Sequence, residues 1–204
     1  MANTQPEDCS TPERQFTWDD LKAAVGQDFS DGAARYGPDA VERWSLRALC
    51  EPFEMDCPLH WDDAAARRWG YRGVIAPQWG VSVFTAGGRW APGRSSLFTD
   101  PCKESAYFEV GNRVTARPLP MPRTSQVFAT DIEVEYYRPV YLGDRLAVRA
   151  QKLLSVDVKP TRVGLGAFVV IEREVINQDR ELVAYVRMGT YHFNPHADKE
   201  GATG

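Results

Sequence analysis

Two apolar stretches with a period of two decide the fold: Leu165-Gly-Ala-Phe-Val-Val-Ile171 and Leu182-Val-Ala-Tyr-Val-Arg-Met188. In each stretch every second residue is apolar, which places these side chains on one face of a β-strand. Between them lies Asn177-Gln-Asp-Arg180, whose residues favour a tight turn. The two stretches are therefore predicted to form an antiparallel hairpin.

The same period occurs upstream in two further stretches. One predicted strand face consists of Phe128, Ile132, Val134 and Tyr136, and another of Leu146, Val148 and Ala150. Leu142-Gly143-Asp144 carries turn chemistry between these two stretches. We therefore predict four long strands in an antiparallel sheet.

The first half of the chain has helical signals instead. Capping residues, prolines and glycines mark four helices, which run from Trp18 to about Val25, from Pro38 to before Pro52, from Asp62 to Gly70, and over Gln78 to Ala86 after Pro77. The last is apolar nearly all round (Trp79, Val81, Val83, Phe84), so we expect it to be buried. Helices followed by strands indicate an α+β fold.

We expect one domain, over residues 16–194. Residues 1–15 and 195–204 are polar and lack a burial pattern, which predicts flexible tails. Residues 87–126 are rich in Gly and Pro with few periodic apolar positions, and we predict a long inserted loop or flap.

Composition excludes several function classes. The chain has 204 residues, 43% of them hydrophobic, and a net charge of −4 without a basic stripe, so we expect no nucleic-acid partner. The longest apolar runs fall far short of the roughly 20 residues that cross a bilayer, and residues 1–14 do not resemble a secretory signal. We expect no membrane span and a cytoplasmic location. The four cysteines have no metal-ligand spacing, and we expect neither metal nor cofactor.

Three segments resemble one known family. Pro58-Leu-His-Trp-Asp-Asp-Ala-Ala65 resembles the end of the hydratase motif of MaoC-like enoyl-thioester hydratases and dehydratases, N-P-L-H-x-D-x-x-A. Gly73-Val-Ile-Ala-Pro77 resembles their G-x-I-A-P stretch before the central helix, and residues 138–146 resemble their R-P-V-x-x-G-D-x-L turn. The resemblance extends over about residues 41–193 and is greatest to the N-terminal dehydratase branch.

The residues just before Pro58 depart from the family motif. The motif reads G-D-x-N-P-L-H, with its Asp five residues before the His, whereas Met55 occupies that position here and Cys57 replaces the Asn. Glu54 and Asp56 flank Met55, so either carboxylate reaches the site only if this loop is reshaped.

The resemblance implies a single hotdog fold, in which a long antiparallel sheet wraps around a central helix. It also implies reversible addition of water across the α,β double bond of an enoyl thioester, carried by CoA or acyl carrier protein, in a homodimer or in a heterodimer with another hotdog chain. Because the expected Asp is missing, a non-catalytic subunit that shapes a partner's acyl tunnel stays open, as does a hotdog thioesterase.

Addition of water to the double bond of an enoyl thioester needs an acid/base pair and hydrogen-bond donors for the enolate oxygen. His60 is the candidate acid/base, with Glu54 or Asp56 as the second group; the alternative for His60 is capping of the following helix. Asp62 and Asp63 are predicted to complement the helix dipole instead.

The enolate donors would be the first-turn N–H groups of Gln78, Trp79 and Gly80. Core packing is the alternative for Trp79, and close helix–sheet packing for Gly80. Arg138 is the candidate for a pantetheine phosphate, or else a solvated residue at a strand end.

Overall fold

In the computed structural model, residues 15–88, 90–94 and 117–196 are described. The elements follow in the order α1 (Trp18–Ala23), β1 (Arg35–Tyr36), α2 (Arg43–Cys50), α3 (Asp63–Arg68), α4 (Val81–Phe84), β2 (Gln126–Tyr136), β3 (Ala147–Pro160), β4 (Gly164–Ile176) and β5 (Leu182–Pro195). Short 3₁₀ turns lie at Glu51–Phe53, Pro58–His60 and Gln78–Gly80. None of the helices in these ranges has the length and apolar character to cross a membrane.

The five strands form one antiparallel sheet in the order β1-β3-β4-β5-β2. The four predicted long strands are confirmed, and so is the β4–β5 hairpin, whose turn is closed by the Asn177 N–H donating to the Glu181 carbonyl. The strand β1 has only two residues and no periodic signal, and sequence reasoning missed it.

A bulge in β2 corrects one predicted strand face. The pairing of β2 with β5 shifts between Ala129 and Asp131, so Phe128 pairs with Tyr191 whereas Ile132 pairs with Met188. Because one extra residue reverses the alternation of side chains, Phe128 lies on the opposite face from Ile132. There it packs against Phe193, with 5.0 Å between the ring centroids.

Two apolar clusters fill the space between the sheet and the helices. Leu21 of α1, its C-cap residue Ala24, and Phe29 pack against Leu153 of β3 and Val169 of β4. The second cluster joins α2 and α4 to the other end of the sheet through residues that include Leu46, Val81, Phe84, Val140, Val175 and Ala184. The sheet therefore supports a helical layer on one side.

The first helix matches its prediction and the second begins later than expected. Thr17 and Asp20 form a reciprocal capping box at α1. The α2 helix begins at Arg43 and not near Pro38, because the backbone before it is bonded to a distant segment: the Gly37 N–H donates to the Leu146 carbonyl and the Val41 N–H to the Asp144 carbonyl.

The helix after Pro77 is shorter than predicted. A 3₁₀ turn over Gln78–Gly80 leads into four residues of α-helix, and only Val81 and Phe84 of its apolar residues are buried. Trp79 is 42% and Val83 53% exposed, so the expectation that this helix is buried all round is wrong for the single chain.

Several predicted features lie partly outside the described residues. Most of the predicted loop 87–126 does, but its last residue, Gln126, already belongs to β2. Residues 1–14 and 197–204 of the predicted tails also do, whereas Pro195 is the last residue of β5. Gly164 and Gly166 permit close packing of β4 against β5, because a Cβ at Gly166 would lie 2.1 Å from the His192 carbonyl oxygen.

Candidate active site

His60 is the last residue of the 3₁₀ turn Pro58–His60, which precedes α3. Pro58 at the first position sets the backbone for this turn, and the His60 N–H donates to the Cys57 carbonyl. Asp62 is the N-cap of α3 and accepts from the Ala64 N–H at 2.7 Å. His60 is therefore not the helix cap, and its side chain is available for another role.

The His60 ring is oriented by a backbone carbonyl. Nδ1 lies 2.8 Å from the Ile75 carbonyl oxygen, and since that oxygen only accepts, Nδ1 carries the proton. The backbones also meet, with the Ile75 N–H donating to the Leu59 carbonyl at 3.1 Å. Within the described ranges no hydrogen bond engages Nε2, so the neutral ring presents an accepting nitrogen at Nε2.

The three family-like segments come together at this point. Ile75 forms a bridge with Tyr141, and the Ala76 N–H donates to the Val140 carbonyl at 2.7 Å. Segments 58–65 and 138–146 are thus both joined to segment 73–77, although up to 88 positions separate them in the chain. The Ile75 carbonyl is a functional group that sequence reasoning missed, because no side-chain pattern identifies a backbone acceptor.

The two acidic residues after His60 have structural partners. Asp62 caps α3, and Asp63 accepts from the Val74 N–H at 2.9 Å while lying 3.6 Å from Arg43. Both are at the helix N-terminus, as predicted. Asp63 in addition fastens α3 to segment 73–77.

The loop around Met55 holds the second pair of candidate carboxylates. Glu54 ends the 3₁₀ turn Glu51–Phe53 in the left-handed region (φ 47°), and Glu54 and Asp56 are both exposed. Met55 is half-buried; its N–H donates to the Cys50 carbonyl, and its carbonyl accepts from Trp61 Nε1. Across the described part of the chain, neither carboxylate hydrogen-bonds to His60.

Cys50 lies at the start of this loop and is fully buried. Burial raises the pKa of its thiol, and the neighbouring Cys57 and Glu51 raise it further. The Cys50 thiol is therefore held in its neutral form. It packs in the core and does not act as a nucleophile.

The N-terminus of the helix after Pro77 offers two of the three predicted enolate donors. The Gly80 N–H donates to the Pro77 carbonyl within the 3₁₀ turn and is not available. For the Gln78 and Trp79 N–H groups, the described residues provide no hydrogen-bond acceptor. A Cβ at Gly80 would lie 2.8 Å from Leu49 of α2, so this glycine permits close packing of helix against helix and not of helix against sheet as expected.

Arg138 lies just beyond the end of β2. Its Nη2 lies 3.3 Å from Glu181, and both side chains are about half exposed. This arrangement matches a solvated residue at a strand end and leaves the guanidinium accessible.

The turn that follows contains a buried carboxylate that sequence reasoning did not single out. Asp144 is 4% exposed and accepts from Arg72 Nη2 at 2.7 Å and from the Tyr141 N–H at 2.8 Å. In the sequence, the G-D pair of the family-like turn was the available signal for this residue. A buried Asp requires hydrogen-bond partners, and Asp144 has them here.

A cavity of about 930 Å³ lies elsewhere, between Gln15, Phe16 and residues of segment 118–123. Its lining contains no residue of the three family-like segments. His60 itself is half-buried.

Comparisons with known proteins agree with this architecture. The model of the family described as FAS1-like, dehydratase domain region, matches residues 23–186. A probable enoyl-CoA hydratase alpha subunit of Thermomonospora curvata is 31% identical over 175 residues, which is 86% of this chain and 51% of that protein. A UPF0336 protein of Mycolicibacterium paratuberculosis is 24% identical over 139 residues, covering 68% of this chain and 70% of that protein. The chain thus spans about half the length of the first of these relatives.

Solved structures agree on the fold. The ChsH1-ChsH2 complex from Mycobacterium tuberculosis contains a chain that matches with a TM-score of 0.59 at 22% identity, covering 87% of this chain and 94% of that chain. The monoamine oxidase regulatory protein from Archaeoglobus matches with a TM-score of 0.55 at 18% identity, covering 84% and 92%. With the family model covering most of the sheet and helices, this chain belongs to the FAS1-like dehydratase region family, as a MaoC-like protein of hotdog fold.

Proposed function

We propose that the chain takes part in reversible addition of water to an enoyl thioester, with His60 as the acid/base group. The observation that carries this proposal is the 2.8 Å hydrogen bond from His60 Nδ1 to the Ile75 carbonyl, which fixes the tautomer and presents Nε2 as a base. Nε2 takes a proton from water as the water oxygen bonds to the β-carbon, and the electrons of the α,β π bond pass to the thioester oxygen as an enolate. When the enolate collapses, the α-carbon receives a proton from the second acid group, which regains it from Nε2.

The remaining parts of the reaction have candidates nearby. The Gln78 and Trp79 N–H groups are proposed to hold the enolate oxygen, because donors at the start of a helical turn have no internal partner. Arg138 is proposed to contact the phosphate of a phosphopantetheine arm. Exchange of its contact with Glu181 for a phosphate contact would need little rearrangement of the exposed side chains.

A carboxylate must complete the site. Glu54 or Asp56 can supply it if the loop around Met55 is reshaped when substrate or a partner binds. Both are exposed and neither is held by an ion pair in the described ranges.

We propose that a second hotdog chain, identical or different, covers this surface. Trp79 and Val83 lie four residues apart on the helical segment after Pro77 and are 42% and 53% exposed, and Phe53 packs edge-on against Trp79. Exposed apolar surface of this kind beside a candidate site marks a protein interface. The finding that this helix is apolar nearly all round but buried on one side supports the same proposal.

The second candidate function is a non-catalytic subunit. Met55 in place of the family Asp, and the absence of a hydrogen bond between His60 and either Glu54 or Asp56 in the described structure, favour it. In this case the chain shapes the acyl site of a catalytic partner and contributes no proton transfer.

The deciding experiment follows the loss of enoyl absorbance when trans-2-enoyl-CoA is mixed with the purified chain. We expect turnover that His60→Gln lowers by a factor of about 10² to 10⁴, whereas His196→Gln, on an exposed residue, leaves it unchanged. Glu54→Gln and Asp56→Asn, tested separately, identify the second group.

Other outcomes are equally clear. No turnover by the folded chain, together with activity that appears only with a second hotdog chain and survives His60→Gln, would establish the non-catalytic subunit. Release of free thiol from the thioester without hydration would establish a thioesterase. Val83→Asp tests the interface, and we expect it to lower the apparent mass in sedimentation.

A further inference from the structure

Asp144 has more hydrogen-bond partners than the turn alone requires. Besides the Arg72 guanidinium at 2.7 Å and the Tyr141 N–H at 2.8 Å, Gln178 Nε2 lies 3.3 Å from Oδ1. A buried carboxylate is costly unless it is paired and hydrogen-bonded, so these donors hold it in a single geometry.

Arg72 contacts both ends of this turn. Its guanidinium carbon lies 4.0 Å from the centre of the Tyr141 ring, while Nη2 bonds to Asp144. The contact with the ring adds a cation–π attraction to the ion pair. Arg72 is thereby attached to the segment that pairs with Ile75.

The turn itself is rigid. Gly143 has a positive φ of 86°, which a residue with a side chain rarely adopts, and the Asp144 N–H donates to the Tyr141 carbonyl at 3.1 Å. The Gly143 N–H and the Asp144 carbonyl both bond to Val41. The Asp144 carboxylate therefore has a fixed backbone on which to hold Arg72.

These contacts lie on both sides of the Ile75 carbonyl, which accepts the hydrogen bond from His60. Arg72 is tied to Asp144 three residues before Ile75, and the Ala76 N–H is tied to the Val140 carbonyl one residue after it. The Ile75 carbonyl between them accepts from His60 Nδ1. A shift of segment 73–76 would move this carbonyl and release the ring.

We infer that Arg72, Tyr141 and Asp144 form a clamp that positions His60 by fixing the Ile75 carbonyl. These are positioning residues, since none of them touches His60 itself. The inference deepens the proposed function, and its kinetic part rests on that function, whereas its structural part does not.

The structural test uses nitrogen NMR of the histidine rings. The protein has three histidines, so His192 and His196 serve as internal references. In the wild type we expect the neutral His60 ring as one tautomer with the proton on Nδ1. In Arg72→Gln and Asp144→Asn we expect a mixture of the two tautomers, while His192 and His196 stay unchanged.

The kinetic test uses the same variants in enoyl-CoA hydration. We expect kcat to fall about tenfold to a hundredfold with KM within about twofold, because a misplaced base slows chemistry and leaves binding intact. Arg72→Lys retains the charge and should recover most of kcat. The matched control is Arg149→Gln, which breaks the ion pair of Arg149 with Glu174 within the sheet and should change neither readout.

Each outcome has one meaning. If Arg72→Gln keeps a single Nδ1–H tautomer and an unchanged kcat, the clamp does not position His60. If the wild-type protein does not hydrate enoyl-CoA, the proposed function fails. The His60 tautomer in the wild type and in Arg72→Gln still shows whether the clamp positions the ring. Should Asp144→Asn not fold, Arg72→Gln remains decisive, because the Arg72 side chain is 63% exposed and its loss leaves no cavity.

Discussion

The central strands β3, β4 and β5 are 13 or 14 residues long and pair along most of that length, whereas the segments around His60 meet through only a few hydrogen bonds among the described residues. In the sheet, many equivalent hydrogen bonds and buried apolar side chains each contribute a small part of the stability. At the site, one carbonyl or one carboxylate determines where a side chain points. Substitutions in the two regions should therefore differ in kind: the sheet should lose global stability, and the site should lose local order.

The largest expected effect is in the sheet. Leu153 on β3 is fully buried, and Leu153→Ala should lower the free energy of unfolding by about 2–5 kcal/mol through lost burial and a cavity. Leu165→Ala on β4, where the side chain is 55% exposed, should change it by less than about 0.5 kcal/mol. Urea denaturation measures both. Equal losses would mean that Leu153 is not part of the core.

The second-largest effect on stability is expected where Asp63 joins α3 to segment 73–77. Asp63→Ala removes the acceptor of the Val74 N–H, and leaving a buried donor without a partner costs about 1–3 kcal/mol. We expect faster hydrogen exchange at the Val74 amide than at amides of β4. Asp63→Asn keeps an acceptor and should lose less.

Asp19→Ala is the matched control for Asp63→Ala. Asp19 is also in the first turn of a helix but has a 91% exposed side chain, and we expect a loss of no more than about 1 kcal/mol from the weaker helix-dipole term. An unchanged exchange rate at Val74 in Asp63→Ala would show that α3 is not fastened to segment 73–77.

The same contrast explains what sequence reasoning could reach. Strand positions follow from a period of two that each strand carries in its own residues, so the hairpin of β4 and β5 was predictable. The bulge that turns Phe128 to the other face leaves no such trace, because its signal is a register with β5. The α2 helix begins late because its predicted first turn is bonded to residues 144 and 146, about a hundred positions away.

At the site, the residue types were predictable and their partners were not. His60 was identified by the family-like motif, but the Ile75 carbonyl and the burial of Asp144 depend on three segments meeting in space. The exposure of Trp79 was likewise not predicted, because an apolar helix does not specify whether its outer face is covered by its own chain.

A pH-dependent effect should arise from the sheet. Burial lowers the pKa of His192 on β5 below its ordinary value of 6.5. The unfolded chain then binds more protons than the folded chain between the lowered value and 6.5, so stability is complete above about pH 6.5 and falls as the pH drops. His192→Gln should flatten this dependence between pH 7 and 5 in urea titrations. His196→Gln should not change the pH dependence of the free energy of unfolding. If His192→Gln leaves this dependence unchanged as well, it does not arise from His192.

The smallest effect on stability is expected at Arg138, where the exposed ion pair with Glu181 contributes about 0–1 kcal/mol. Its proposed role is in binding, so Arg138→Gln should raise KM for an enoyl-CoA while kcat and stability stay nearly constant. An N-acetylcysteamine enoyl thioester has no phosphate, and its KM should not respond. Equal KM changes for both substrates would place Arg138 against the part that they share, the acyl group with the cysteamine amide, and no change for either would leave it a strand-end residue that only pairs with Glu181.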